Sequence, residues 1–297
     1  MKLDFLVAGF SKCGTTSLCA LLDAHPQVFI PPMKETNFFI EEYYLQRLDW
    51  YAGLFAAASS GARLGEGCQF YSSTRYERAA RDRILLHSPD VRLIFIARDP
   101  IDRIESSYRE FHHSGPRFGL DAPFGIGKAL CELPDLVDDT RYWSRLANYR
   151  ERVPDERILL LFNEDLQADS AGVMARCWDF LGVARRDDIA RSMVRLNEGG
   201  TKLHDTRVLR CMRRSPLVGP WLSRRFDIDT QDRLGQWLGL RRAFRRPIAW
   251  DDEARRFVVN ELAAEAAKLL AFAGKPFGFW PRLAAWVAEF GIEPDPP

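Results

Sequence analysis

The chain has almost no net charge: 42 Lys and Arg against 41 Asp and Glu leave +1 over 297 residues. A protein that coats nucleic acid through its overall charge is normally far more basic, so bulk charge argues against that class. Cysteine is scarce. Its six residues include no C-x-x-C pair and no Cys/His cluster at zinc-site spacing. That pattern argues against a disulfide scaffold and a Cys/His metal site, and it is ordinary for thiols kept buried or reduced. No apolar run approaches the ~18 residues of a membrane span. The N-terminal apolar stretch contains Asp4 and breaks at once into Gly9, which makes a poor signal peptide. The expectation is a cytoplasmic protein with no integral membrane segment. Internal repeats and low-complexity linkers are absent as well. Hydrophobic residues at 46% and charged residues at 28% are ordinary for a globular chain and argue against disorder.

What is present alternates between strand and helix patterns. Phe5-Leu6-Val7-Ala8 is a short apolar run ended by Gly9, the signature of a strand buried on both faces. A helix follows over Thr15–Ala24, with Leu18, Leu21 and Leu22 on one side, and His25-Pro26 ends it. Val28–Ile30 reads as a short strand. Arg92–Ala97 is the strongest strand pattern; Asp99-Pro100 then opens a helix through about His113. Residues 114–127 read as a loop. Tyr142–Arg152 reads as a helix, Arg157–Phe162 as a strand, Ala171–Leu181 as a helix closed by Gly182, and 253–272 as a long amphipathic helix with Phe257, Leu262, Ala266, Leu269 and Leu270 on its stripe. The alternation predicts an α/β fold: a P-loop-like layered fold with a central parallel sheet flanked by helices. One domain over 1–297 is the simplest organisation. The stretch 202–246 reads as irregular and basic, with twelve Lys and Arg against four Asp, an excess of eight in a nearly neutral chain.

Two segments have anion-binding character. Gly9-Phe10-Ser11-Lys12-Cys13-Gly14-Thr15-Thr16-Ser17 joins the first strand to the first helix. Glycines allow a tight turn whose N–H groups face one anion, and the helix N-terminus adds positive potential. Lys12 contributes a full charge; Thr15, Thr16 and Ser17 contribute hydroxyls. Gly9 and Gly14 keep P-loop spacing, but Thr15 stands where a P-loop has Lys, and no strand ends in a convincing Mg²⁺-holding Asp. The second segment is Arg98-Asp99-Pro100 through Ser106-Ser107-Tyr108. Arg98 ends a strand and Ser106 follows two helical turns later, a guanidinium and a hydroxyl suited to a second phosphate. The blander reading is a helix start, with Asp99 and Asp102 on the dipole and Arg103 in solvent. Ligands of an open α/β sheet gather beyond its strand carboxyl ends, so both segments are expected to face one crevice.

Together these segments resemble the sulfotransferase family that uses 3′-phosphoadenosine 5′-phosphosulfate (PAPS). Lys12-Cys13-Gly14-Thr15-Thr16-Ser17-Leu18 is similar to that family's 5′-phosphosulfate loop, and Arg98 through Ser106 to its 3′-phosphate motif. Softer marks follow in order: His25-Pro26, Lys34-Glu35-Thr36-Asn37-Phe38-Phe39, Gly65-Glu66 with Tyr71, the 157–162 strand followed by Glu164, Asn197-Glu198-Gly199-Gly200, and Trp280. The Lys-Glu-x-x-Phe-Phe stretch is similar to the heparan-sulfate type and its bacterial relatives. The resemblance implies transfer of a sulfuryl group from PAPS to a hydroxyl or amine of a small-molecule, lipid or carbohydrate acceptor, without a metal. It implies cofactor contacts from Lys12, Cys13, Gly14, Thr15, Thr16, Ser17, Arg98 and Ser106, with Lys202 and Arg207 closing over the 3′-phosphate. It makes Glu35 the catalytic base, with Lys12 assisting at the sulfuryl group.

Residue patterns alone leave alternatives open. By spacing, Glu35 reads as a surface acid beside Lys34, and Lys34 is a second candidate to approach the sulfuryl group. His112 is a rival base; with His113 it also reads as a helix C-terminal pair favoured by the dipole. Phe38, Phe39, Trp50 and Tyr51 line an acceptor pocket or belong to the core. The basic stretch closes over the 3′-phosphate, binds an anionic acceptor or is a solvated face. A P-loop-type metabolite kinase is the enzyme alternative. A nucleotide- or nucleic-acid-binding module using 202–246 is the non-enzyme alternative; neutral net charge and the two strand-end motifs favour no nucleic-acid partner.

Overall fold

Five short strands pair in the order β2-β3-β1-β4-β5, all parallel. They are β1 (Phe5–Gly9), β2 (Val28–Phe29), β3 (Arg63–Gly67), β4 (Arg92–Ala97) and β5 (Ile158–Phe162). The computed structural model describes residues 1–33, 35–118, 120–186, 188–189, 202–216, 218, 225–244 and 247–293. Lys34, Arg224, Arg245, Arg246 and the Asn197–Gly200 segment lie outside the described residues.

Every residue of β1 is buried, and all of β4 except its first residue. That is why these strands read as continuous apolar runs rather than alternating ones. Helices α1 (Thr15–Asp23), α2 (Leu48–Gly53), α3 (Glu77–His87) and α4 (Pro100–Ser114) follow β1 to β4 in turn. The α4 start is capped by Asp99, whose Oδ1 accepts from the Ile101 N–H at 2.9 Å. The helix Ser170–Leu181 closes at Gly182 in the left-handed conformation (φ 67°), which glycine adopts without strain. His25 sits just past α1, as its Pro neighbour predicts. Its Nε2 donates to Ala184 O at 2.7 Å and its Nδ1 accepts from Gln27 N at 3.1 Å.

Three sequence expectations change. β3 was not read as a strand, because Arg-Leu-Gly-Glu-Gly has no apolar run; its place is set by Gly65 packing against the buried Phe5 ring. The helix Asp252–Phe272 buries Val258, Val259, Leu262, Ala263, Ala266, Leu269 and Leu270, while Phe257 is 42% exposed and lies off the stripe. The stretch from Lys202 is not irregular: Leu203–Asp205 (β6) and Arg241–Ala243 (β7) form an antiparallel pair, with helices Arg207–Arg214 and Ile228–Trp237 between them.

The described residues fall into two compact units. The first draws on 1–103, 137–197 and 256–297 and holds the parallel sheet; the second draws on 104–136 and 198–255 and holds the β6–β7 pair. All six cysteines are unpaired, Cys131 and Cys211 exposed and the others buried. Among the described residues no helix is long and apolar enough to cross a membrane.

Phe5 and Gly65 give a direct test of sheet packing. A Cβ at Gly65 would lie 2.3 Å from the Phe5 ring. Gly65→Ala is expected to destabilise the fold by about 1–3 kcal/mol, the usual cost of overpacking, read from urea unfolding. An unchanged midpoint would show that the ring moves freely.

Candidate active site

Parallel pairing puts the carboxyl ends of all five strands on one edge of the sheet. The phosphate-type loop leaves β1 there, and its Phe10 N–H donates to Ile96 O of β4 at 3.0 Å. Arg98 follows β4, Gln69 follows β3, and Asn163 follows β5. The phosphate-type loop and Arg98 therefore leave neighbouring strands of the first unit.

The loop is tight because its glycines are crowded. A Cβ on Gly9 would lie 1.9 Å from Ser72 Oγ, and one on Gly14, at φ 101°, would lie 2.3 Å from Asn163 Nδ2. Lys12 is also left-handed, at φ 64°. The N-cap of α1 is Gly14, which has no side chain to offer as a cap. Thr15 is buried, Lys12 and Ser17 are half-buried, and Thr16 is exposed. Cys13, expected among the anion contacts, has its side chain inside the fold. Its thiol is buried against the Tyr142 hydroxyl at 3.3 Å, and burial pushes its pKa up to about 12. Its N–H turns back to Phe10 O at 3.3 Å. The side chain is a core element of the loop.

Arg98 carries a buried donor that the fold leaves unpaired. Its Nε is buried with no hydrogen-bond partner, while its guanidinium is 3.6 Å from Asp102. A buried, charged donor left unsatisfied is costly, and a phosphate would satisfy it. Arg103 is not in solvent. It is 2% exposed, donates from Nε to Ser11 O at 3.3 Å and from Nη1 to Thr140 Oγ1 at 2.9 Å, and pairs with Asp139 at 3.7 Å. It braces the loop from behind, a role no sequence pattern signalled.

Glu35 reaches the same edge through Gln69. Ser11 Oγ donates to Gln69 Oε1 at 3.0 Å, and Gln69 Nε2 donates to Glu35 Oε2 at 3.4 Å. Loop and carboxylate are thus joined by one amide. Gln69 was missed because nothing about an isolated Gln marks it; its only signal was nearness to Tyr71. Behind Glu35 lies the fully buried Glu66, whose Oε2 accepts from Thr36 Oγ1 at 2.5 Å and whose Oε1 accepts from Tyr71 Oη at 2.6 Å. Burial raises its pKa to about 7 despite those hydrogen bonds. Phe38, Phe39 and Tyr51 are core residues rather than pocket lining: all are buried, and the Phe38 and Tyr51 rings stack at 3.9 Å. Trp50 is half-buried, with the Arg47 guanidinium 3.9 Å from its ring.

The remaining candidates, Ser106, His112, Lys202 and Arg207, belong to the second unit. Ser106 is half-buried on α4, Lys202 pairs with Glu110 at 2.8 Å, and Arg207 is exposed. His112 is 2% exposed among Tyr108, Phe124, His204 and Phe244, with Arg210 Nη2 3.1 Å from Nδ1. The helix dipole would raise its pKa; burial, then the Arg210 charge, lower it to about 4 instead. Five described cations of the basic stretch are held in ion pairs. Arg213 pairs with Asp205 and Asp232, each at 3.1 Å, and the buried Arg241 pairs with the same two carboxylates. Arg210 and Arg214 pair with Asp121.

With the geometry in hand, comparison with known proteins is decisive for the family. The profile of the family described as "Sulfotransferase domain" matches residues 2–198. The chain belongs to the sulfotransferase domain family. Mouse heparan sulfate glucosamine 3-O-sulfotransferase 6 is 29% identical over 183 residues, 61% of this chain and 52% of that protein. The mouse bifunctional heparan sulfate N-deacetylase/N-sulfotransferase 3 is 30% identical over 196 residues, 61% of this chain and 22% of that protein. The chain thus spans about half the length of the first relative and less of the second. In fold, a sulfotransferase from Alicyclobacillus acidocaldarius matches with a TM-score of 0.63 at 19% identity, covering 95% of this chain and 99% of that one. The sulfotransferase domain of the curacin biosynthetic pathway matches at 0.50 and 14%, covering 89% and 98%.

His112 gives this sulfotransferase-family chain a testable pH dependence. A folded pKa near 4 lies below the ordinary 6.5, so between those values the unfolded chain binds a proton that the folded chain does not. Its contribution to stability is complete above about pH 6.5 and is lost as pH falls toward 4. His112→Gln is expected to lose less Tm than wild type between pH 7 and pH 5; equal losses would contradict the shift.

Proposed function

We propose that the chain transfers a sulfuryl group from PAPS to a hydroxyl or amine, with Glu35 as the base. The observation that carries this reading is the Ser11–Gln69–Glu35 chain of hydrogen bonds, which joins a carboxylate to the phosphate-type loop. The loop suits the nucleotide's 5′ end: crowded glycines, a helix start at Gly14, Lys12, and the hydroxyls of Thr16 and Ser17. The unpartnered Nε of Arg98, one strand over, suits a second phosphate. Two anion sites on one sheet edge match a nucleotide phosphorylated at both ends of its ribose. When bound, PAPS supplies an activated sulfuryl group and leaves as 3′-phosphoadenosine 5′-phosphate (PAP).

Glu35 Oε accepts the proton of the acceptor hydroxyl or amine as that atom attacks. Lys12 and the first amides of α1 lower the energy of negative charge that grows on the 5′ side, as fixed donors do wherever charge develops. Arg98 holds the 3′-phosphate and sets nucleotide register. His112, enclosed by aromatic rings, has no such access and is not the base in this scheme. The relatives named for heparan sulfate support a carbohydrate acceptor, with a glucosamine hydroxyl or amine as the first class to screen.

Calorimetry with PAP and ADP tests the cofactor. PAP is expected to bind more tightly than ADP, and Arg98→Ala to weaken PAP by about 10- to 100-fold, the loss of one charge-assisted contact of ~1.5–3 kcal/mol. Equal or tighter binding of ADP would favour a kinase instead. Turnover, followed as PAP release from PAPS, tests the base. Glu35→Gln is expected to lower kcat by about 10²–10⁴-fold with PAP affinity near normal. Full turnover in that variant would remove Glu35 from the mechanism.

A further inference from the structure

Glu66 is a carboxyl group of the first unit with no exposed surface. A carboxyl group in such a place normally carries an Arg or Lys partner. Here two hydroxyls hold it instead, and each belongs to a segment that ends at the candidate site. Thr36, which donates to Oε2, is the residue after Glu35. Its oxygen also accepts from Phe38 N at 3.2 Å, so one hydroxyl fixes both the carboxyl group and the turn leading out of the Glu35 segment. Tyr71, which donates to Oε1, is two residues after Gln69. Its oxygen accepts from Phe39 N at 3.4 Å, which ties the Gln69 segment to the Glu35 segment a second time. Gln69 is itself the amide between Ser11 and Glu35.

Stacked aromatics close the cluster from the other side. Phe38, Phe39, Tyr51 and Tyr71 are all buried, and the Tyr71 and Phe39 rings meet edge to face at 5.6 Å. Neither hydroxyl can turn away without leaving a buried polar group unsatisfied. The ionisable groups nearest Glu66, Tyr51, Tyr71 and Cys68, are all pushed upward by burial and are neutral at pH 7. The carboxyl group therefore acts through hydrogen bonds.

We infer that Glu66 is a positioning residue: its buried carboxyl group locks Thr36 and Tyr71 in place, and through them holds Glu35 and Gln69 at the phosphate-type loop. This rests on Glu35 being the base. The chemistry stays with Glu35; Glu66 touches neither nucleotide nor acceptor and fixes where the proton is taken. A shift of ~1 Å in a reacting group can cost about 10²-fold in rate, so loosening this clamp should be visible in turnover.

The test is a double-mutant cycle on full-length protein: wild type, Glu66→Gln, Glu35→Gln and the double variant. Turnover is read as PAP release from PAPS, with a glucosamine oligosaccharide as acceptor and with water alone as the acceptor-independent measure. Glu66→Gln is expected to lower kcat about tenfold or more, with KM for PAPS and the calorimetric affinity for PAP within about twofold of wild type. The same change placed in Glu35→Gln is expected to have no further effect on kcat, because the group it positions is gone. A merely structural role would lower kcat by the same factor in both backgrounds, and that result, or no loss in wild type, overturns the proposal. If Glu35→Gln alone keeps full turnover, the base assignment fails and the positioning role falls with it, a pattern distinct from the other two. Should Glu66→Gln fail to fold, Tyr71→Phe removes one hydroxyl but keeps the ring, and the same non-additivity with Glu35→Gln is required of it.

Discussion

Parallel pairing of β1 with β3 on one side and β4 on the other is the constraint on which the candidate site depends. A parallel sheet sends every strand in the same direction, so the chain segments leaving those strands must share one edge. The phosphate-type loop, Gln69, Arg98 and Asn163 come from four different strands and are far apart in sequence, yet all emerge there. The close approaches follow from the same pairing. Ser72 and Asn163 stand where only glycine fits at positions 9 and 14, so neighbouring segments set the shape of the loop as much as its own residues do.

Around that edge the chain handles buried polarity in two ways. Glu66 is held by neutral hydroxyls, while Arg103 is held by a carbonyl, a hydroxyl and a more distant carboxylate. Both hold a strongly polar group in the first unit without a tight ion pair. The second unit does the opposite. Asp205, Asp232, Arg213 and Arg241 form a compact set of opposite charges with little exposure. Losing one member would leave a buried charge uncompensated, which is the expensive case. Arg213 and Arg241, which count toward the basic excess of 202–246, are thus held by two of its four Asp residues.

Some features were legible because they depend on neighbours in the chain. The buried runs of β1, β4 and β5, the Pro100 helix start and the Gly182 helix end are local consequences of apolar continuity, a fixed φ and a free φ. The loop's glycines and Lys12 were legible for the same reason, and the order of motifs pointed to the family. Other features were not legible. β3 has no strand pattern, because a glycine and a buried carboxyl group replace apolar side chains at its centre. The loss of Phe257 from its helical stripe is an error of phase over two turns. The burial of Arg103 and His112 was not legible, because exposure depends on what packs above a residue, and their partners Thr140 and Arg210 lie far away in the chain.

By itself the sequence determined the strand and helix alternation, the tight anion-binding turn after the first strand, the arginine after the fourth and the family's motifs, since each rests on residues within a few positions of one another. Only the tertiary structure decided that Gln69 links Ser11 to Glu35, that Glu66 is buried, that Arg98 keeps an unsatisfied donor and that Arg213 and Arg241 share Asp205 and Asp232. The physical reason is that hydrogen bonding and desolvation depend on distance in space, and strand pairing brings together groups that no local pattern relates.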